Sequence, residues 1–438
     1  MTTRLFTGPV KKALIVENPS PVIDAHLRNA GLEVLRLETV PNEEGLIKAI
    51  NDFGAQAVFK RSRVEITRRV IESCPSLHVV QLCCIGDDSV DKMACAEHGV
   101  MVFNDPVSNG HSVVELAIGQ LISLSRRLYQ TNTSCRDGRW EKNNLDRYEI
   151  AGKVLGVVGL GNIGRKLART AQQLGMQICF FDTRQVSVEL GRELGWKEAS
   201  SLEDVFRSSD AISLHLSAQD IKGLTNEGRI TKEILQQLGA DRPEGPRIFL
   251  NLSRGFLHRP EDLVAAVQSG AIKHAAVDVY PMEPRKGEGW DNPYANEPRI
   301  IVTPHIGAST QEAQPRIGER VSDTFLSFSK LGSIRDTPYQ PRFTLNLNDK
   351  PTSGEAILMV SHATAKGTKR AIDEVIYDSD CSNLSSAHQD FNRWSFAYDL
   401  ARLDKPLTQS QLELIPQRAA ELTGQDNVIH SIRQVIIP

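Results

Sequence analysis

The sequence predicts an α/β protein built on doubly wound parallel sheets, followed by a smaller α+β domain. Three observations predict it. Short apolar runs alternate with amphipathic helical patterns twice, over residues 13–103 and again over 153–302. A glycine-rich turn joins strand to helix at the start of the second series. After residue 354 the order changes to strand, helix, strand, strand, helix, strand. Strands alternating with helices imply a parallel sheet covered on both faces. The last pattern is a split βαβ unit.

The first series runs Ala13–Val16, a helix Val22–Ala30 closed by Gly31, Val34–Leu37, a helical stretch over Leu46–Ile50, and Ala57–Phe59. It continues through Ile66–Ile71, Val79–Leu82, a helix ending before Gly99, and Val100–Phe103. Ser112–Leu128 is the longest helical pattern, with Val113, Leu116, Ala117, Leu121 and Leu124 on its apolar side. A polar, irregular arm follows over Gln130–Tyr148, with Trp140 inside it. Such an aromatic is either a satellite-core residue or an anchor on a partner subunit. The second series places strands at Val154–Val158, Ile178–Phe181, Ala211–Leu216, Ile248–Leu252, Ala275–Val279 and Ile300–Val302. Residues 332–354 lose periodicity and hold Pro338, Pro341 and Pro351, which reads as a linker.

The chain has 438 residues, enough for two to four domains at roughly 100–200 residues each. Its 51 Lys and Arg against 54 Asp and Glu give a net charge of −3, so no basic excess points to nucleic acid. Met1–Lys12 lacks the apolar core of a signal peptide, and no run approaches a membrane span. The seven cysteines form no C-x-x-C pair and no zinc spacing. These features fit reduced thiols in a cytoplasmic protein, with no metal and no membrane partner expected.

Gly159-Leu-Gly-Asn-Ile-Gly164 directly follows the strand Val154–Val158 and opens a helix. This is a Rossmann-type fingerprint in its expected context. Gly159 permits the tight turn, Gly161 lets the backbone approach a pyrophosphate, and Gly164 lets helix and strand pack closely. Asn162 and Ile163 lie in the first turn, whose free N–H groups face phosphate. Asp182, eighteen residues beyond Gly164, ends the next strand where a carboxylate binds a ribose 2′-OH. NAD is therefore expected over NADP, and nearby Arg184 softens that preference.

Three polar residues follow strands of the second series: Arg254 in Asn251-Leu-Ser-Arg-Gly255, Glu283 in Asp278-Val-Tyr-Pro-Met-Glu283, and His305 in Thr303-Pro-His-Ile-Gly307. Ligands bind at the carboxyl ends of strands in such sheets, so all three are candidates for one crevice. Oxidising a 2-hydroxy acid needs a base, a cation for the carboxylate and a hydride acceptor; His305, Arg254 and NAD supply these. Taken singly, each has an ordinary reading: a buried histidine, a helix-start acid, a surface cation.

These motifs, with Cys84-Ile-Gly86, Phe103-Asn-Asp-Pro-Val-Ser-Asn109 and Ser112-Val-Val-Glu115, resemble the D-2-hydroxyacid dehydrogenases, and within them the phosphoglycerate dehydrogenases. The resemblance covers most of residues 10–330. It implies His305 as general acid/base, Glu283 as the carboxylate on its ring, and Arg254 as the group holding the substrate carboxylate. It adds His215 and Asp278 to the cofactor site. It implies a Rossmann-type domain over 109–307, inserted in a discontinuous flavodoxin-like substrate domain over 1–108 and 308–335. A linker over 336–354 and a tail over 355–438 follow.

Lys60-Arg61-Ser62-Arg63 follows a strand, and two arginines there suit a bidentate grip on phosphate. In the family the matching segment contacts the substrate phosphate, which implies Arg61, Ser62, Arg63 and Asn109 as substrate residues. The alternative is a solvated basic turn. The implied reaction is NAD-dependent oxidation of D-3-phosphoglycerate, the entry to L-serine synthesis. Two other readings are a dehydrogenase of another 2-hydroxy acid and a NAD-sensing corepressor-like protein. The tail resembles the ferredoxin-like ACT domain that binds L-serine; His362, Thr364 and Asn383 stand at the effector positions. Thr364 replaces an asparagine, Ala365-Lys366-Gly367 replaces an arginine-proline-glycine turn, and a purely structural pairing domain is the alternative. Further departures are Ser217, Leu252 and a small insertion over 239–245. The family's subunit interface implies a homodimer or homotetramer.

Overall fold

The structure is a computed structural model and describes residues 3–220, 223–284, 289–341 and 343–438. The chain divides into two compact units, residues 109–313 and residues 1–108 with 314–438.

The unit over 109–313 holds a seven-stranded, all-parallel sheet. From one edge to the other its strands are Ile300–Val302, His274–Val277, Ile248–Asn251, Ala211–Leu214, Val154–Val158, Gln177–Phe181 and Lys197–Glu198. The strands Val154–Val158, Ala211–Leu214 and Ile248–Asn251 are buried throughout, as a sheet covered on both faces requires. Val154–Val158 is first in the chain but fifth in the sheet, so the strand order reverses beside it. That reversal is where doubly wound sheets open a crevice for ligands.

The other unit contains two sheets. The first is parallel, ordered Glu33–Arg36, Lys12–Ile15, Ala57–Lys60, Val79–Leu82, Met101–Phe103. This is the 2-1-3-4-5 order of flavodoxin-like sheets, with its switch point between Lys12–Ile15 and Ala57–Lys60. The second joins Ala356–Ala363, Asn383–Phe391, Phe396–Leu403 and Ile429–Ile436, antiparallel, in the order 4-1-3-2 of a split βαβ unit. Leu358, Val360, Ala401 and Leu403 pack one face of it under the helices Thr368–Asp378 and Gln409–Thr423. Met359, Tyr398, Leu400 and Val435 carry the other face into the core of the first sheet's domain.

Four features differ from the sequence-based expectation. The arm after residue 128 is helical to Arg136, after a break at Arg127, whose φ is 55°. A short edge strand Lys197–Glu198 was hidden by its exposed, charged residues. The segment 336–354 is not a free linker: Thr344–Leu345 pairs with Ile334–Arg335, and buried Tyr339 donates its hydroxyl to the Val100 carbonyl at 3.1 Å. Arg4–Thr7, ahead of the first expected strand, pairs in parallel with Ile429–Ile436 at the edge of the tail sheet. The insertion over 239–245 is anchored by Arg242, whose Nε lies 2.7 Å from Oδ2 of buried Asp210.

Candidate active site

The glycine turn is built as close packing demands. Gly159 has φ 94°, and a Cβ there would lie 2.6 Å from the His215 carbonyl oxygen. A Cβ on Gly164 would lie 2.0 Å from the Gly159 carbonyl oxygen, so no side chain fits where the helix Asn162–Gln173 meets its strand. Gly161 is the opposite case: nothing lies closer than Arg184 Nη2 at 3.9 Å. It leaves open space before the helix N-terminus, where Asn162 and Ile163 begin the first turn. A pyrophosphate fits that cradle, on backbone N–H groups and the positive end of the helix dipole.

Asp182 follows the adjacent strand and is nearly buried. Its Oδ2 accepts from the Leu160 N–H at 2.7 Å, tying it to the glycine turn. Arg184 closes on it as a fork, Nη2 to Oδ2 at 2.8 Å and Nε to Oδ1 at 3.1 Å. Burial alone would raise the carboxyl, but the Arg184 contacts and the Leu160 N–H hold it below its ordinary value. His215 follows the strand on the other side. Its Nε2 lies 2.9 Å from Ser213 Oγ, and desolvation lowers its pKa to about 4, so the ring is neutral.

Arg254, Glu283 and His305 follow three adjacent strands, Ile248–Asn251, His274–Val277 and Ile300–Val302, all leaving the same edge of the sheet. His305 Nδ1 meets both oxygens of Glu283, at 2.8 and 2.9 Å. Nε2 makes no hydrogen bond among the described residues, and half of the side chain is exposed. A carboxylate on Nδ1 fixes the proton there and leaves Nε2 to exchange a proton with a ligand. Arg254 is presented by a turn that buried Asn251 shapes: its Nδ2 donates to the Arg254 carbonyl at 2.9 Å, and its Oδ1 accepts from the Ser253 N–H at 3.1 Å.

The residues that hold this constellation together left little trace in the sequence. Asp278 was expected beside the cofactor. In the structure its Oδ1 accepts from Thr303 Oγ1 at 2.6 Å and from the Ile306 N–H at 2.9 Å, and its Oδ2 from the Gly307 N–H at 2.8 Å. The carboxylate thus clamps the loop that carries His305. Gly255 packs so tightly on the Tyr280 backbone that a Cβ would lie 2.0 Å from the Tyr280 carbonyl carbon. Tyr280 in turn donates its hydroxyl to the Thr303 carbonyl at 2.8 Å. The only available signal was that Gly255 and Tyr280 sit inside the motifs that carry Arg254 and Glu283.

In the other unit, Arg61-Ser62-Arg63 forms the turn leaving Ala57–Lys60, at the switch point of the flavodoxin-like sheet. Buried Lys60 braces it, donating Nζ to the Arg61 carbonyl at 2.7 Å and to Ser89 Oγ at 2.6 Å. The Val64 N–H donates to the Glu17 carboxylate. The guanidinium groups of Arg61 and Arg63 make no ion pair among the described residues. Asn109, at the start of the unit over 109–313, caps the helix Gly110–Arg126 without a side-chain bond, and its buried Oδ1 has no hydrogen-bond partner among the described residues.

The tail residues are dispersed. His362 lies beside Ala397 and Asn383 beside Leu403, at opposite ends of the sheet. Thr364 lies in the loop just after His362. The His362 ring is buried with both nitrogens engaged, Nδ1 at 2.7 Å from the Ala363 carbonyl and Nε2 at 2.7 Å from Asp399 Oδ2.

Residues 118–307 match the model of the D-isomer specific 2-hydroxyacid dehydrogenase NAD-binding domain. A protein of Schizosaccharomyces pombe provisionally named D-3-phosphoglycerate dehydrogenase is 33% identical over 437 residues, covering 97% of this chain and 89% of that protein. The D-3-phosphoglycerate dehydrogenase of Haemophilus influenzae is 34% identical over 331 residues, covering 75% of this chain and 76% of the relative. Among solved structures, a glyoxylate reductase from Paecilomyes thermophila shares the fold with a TM-score of 0.65 at 24% identity, over 75% of this chain and 98% of that one. With the glycine cradle, Asp182 and the His305–Glu283 pair in place, the chain belongs to the D-isomer specific 2-hydroxyacid dehydrogenases.

Proposed function

We propose that the protein oxidises D-3-phosphoglycerate to 3-phosphohydroxypyruvate with NAD, the first step towards L-serine. The observation that carries the substrate is the pair of guanidinium groups on Arg61 and Arg63, which make no ion pair among the described residues, on a turn braced by Lys60. The names of the relatives agree with it.

Arg254 binds the substrate carboxylate and orients the C2 hydroxyl. His305 Nε2 accepts the hydroxyl proton while the C2–O bond becomes a carbonyl and the C2 hydrogen leaves with its electron pair. Bound NAD supplies the hydride acceptor. Glu283 stabilises the imidazolium that results, and in the reverse direction the same ring returns the proton. Asp182 takes the ribose hydroxyl, and its charge disfavours a 2′-phosphate. Arg61, Arg63 and Ser62 take the substrate phosphate, with Asn109 completing the substrate contacts.

The tail is an ACT-like regulatory domain, and its β-α-β-β-α-β order supports that reading. His362 and Asn383 stand far apart within one chain, so an L-serine site requires two tails paired. The exposed apolar residues Leu128, Trp140 and Leu145 support a homodimer or a dimer of dimers. NADH production with D-3-phosphoglycerate, D-lactate and D-glycerate tests the substrate. Equal kcat/KM on phosphorylated and unphosphorylated acids would overturn it.

A further inference from the structure

Between the tail sheet and the flavodoxin-like domain lies a cavity of about 20 Å³, lined by Arg433, His78, Ser361, Met359, Phe328 and Tyr398 among others. The Arg433 guanidinium is buried and has no carboxylate partner among the described residues. Its Nη2 donates to the Phe328 carbonyl at 2.6 Å and touches Met359 Sδ at 2.9 Å, while its Cζ lies 4.4 Å from the Phe328 ring centroid. Among the described residues, Nη1 is buried without a hydrogen-bond partner, and so is Nε2 of buried His78. The Ser361 hydroxyl also faces the cavity, whereas the Tyr398 hydroxyl is already spent on the Gly332 carbonyl at 2.8 Å.

We infer that this cavity binds one small monovalent inorganic anion of halide size, held by Arg433, His78 and Ser361. Three features carry the assignment. A buried, uncompensated charge is costly, and an anion beside it removes most of that cost. The unspent polar groups all donate or can donate: a guanidinium N–H, an imidazole N–H and a hydroxyl. A halide accepts from all three groups at once, whereas a water has only two lone pairs and would have to give its own protons back to the Ser361 oxygen or the His78 ring. The volume has room for an occupant of water size. Burial lowers Arg433 to about 10, so it remains charged at neutral pH. The anion fastens strands of the tail to the domain beneath.

Crystals of the full chain grown in bromide test this directly: an anomalous peak within hydrogen-bond distance of the Arg433 guanidinium is expected. In solution, replacing gluconate by chloride at constant ionic strength should raise Tm with a saturating, single-site dependence. Arg433→Met should abolish that chloride-specific rise, and Ser361→Ala should shift its midpoint to higher chloride. Absence of the bromide peak in the native protein overturns the inference, because only water then fills the cavity. A chloride dependence unchanged in Ser361→Ala and Arg433→Met overturns it equally, and the native bromide test stands if Arg433→Met does not fold.

Discussion

His305 has a φ of 53°, a left-handed conformation that a non-glycine residue adopts only where its surroundings enforce it. Here the enforcement is Asp278, which holds the N–H groups of the two residues that follow. The geometry gives Asp278, expected at the cofactor, a contact with the loop that carries His305. His305→Ala should reduce kcat by about 10²–10⁴-fold, the usual worth of a general acid/base, with NADH affinity retained in a fluorescence titration. An alanine variant with near-native turnover would sink that role. Asp278→Asn should instead lower kcat with little change in the Kd for NAD, because one loop contact loses its acceptor. If Asp278 is a cofactor ligand, the same variant weakens NAD first and leaves kcat nearly intact. The contact between His305 and Glu283 was legible because both lie in distinctive motifs. The clamp was not, because a buried aspartate after a strand reads the same whether it meets a ribose or a backbone N–H.

At the scale of elements, a strand end is informative when its side chains have no partner. The turn after Ala57–Lys60 spends its backbone on Lys60 and Glu17, and Arg61 and Arg63 make no ion pair among the described residues. Arg61→Ala and Arg63→Ala should each raise KM for D-3-phosphoglycerate more than tenfold, from about 1.5–3 kcal/mol per lost charged hydrogen bond. Equal losses on D-glycerate would make the segment a solvated turn. In the tail sheet, His388 and Asp399 face each other across adjacent strands, Nδ1 to Oδ1 at 3.0 Å. That bond raises the His388 pKa above its ordinary value, despite partial desolvation. Its contribution to stability is therefore complete below the unfolded-state pKa of about 6.5 and fades as pH rises through the higher folded value. Thermal melts should show the native protein losing its advantage over His388→Asn between mildly acidic and mildly alkaline pH. Parallel Tm curves across that range would refute the coupling. The main strands of both parallel sheets were legible because buried strands are near-continuous apolar runs. Lys197–Glu198 was not, since an edge strand of two exposed, charged residues has no such run.

At the scale of the whole molecule, the order of elements was legible in the sequence, but a pairing between the first and last strands was not. Local periodicity reports which residues are apolar, and contains nothing about a partner more than four hundred residues away. Arg4–Thr7 runs parallel to Ile429–Ile436, from Arg4 beside Ser431 to Thr7 beside Gln434. Arg4 adds an anchor, donating Nη1 to the Leu77 carbonyl and Nη2 to the Ile71 carbonyl, both at 2.8 Å. Thr3 Oγ1 donates to the Ile429 carbonyl at 2.9 Å. The N-terminal strand thus covers the edge of the tail sheet and ties that sheet to the domain holding Arg61 and Arg63. An uncovered strand edge presents a row of free N–H and C=O groups that invite pairing with another chain. Removing residues 1–7 should therefore lower Tm and promote concentration-dependent aggregation, while kcat of the remaining soluble enzyme changes little, because the residues assigned to chemistry lie in the other unit. Light scattering against concentration, with Tm and kcat on the same samples, checks this. A truncated protein that melts with the native one and stays monodisperse would show that the strand is an ornament of the fold and that the tail sheet is stable with its edge bare.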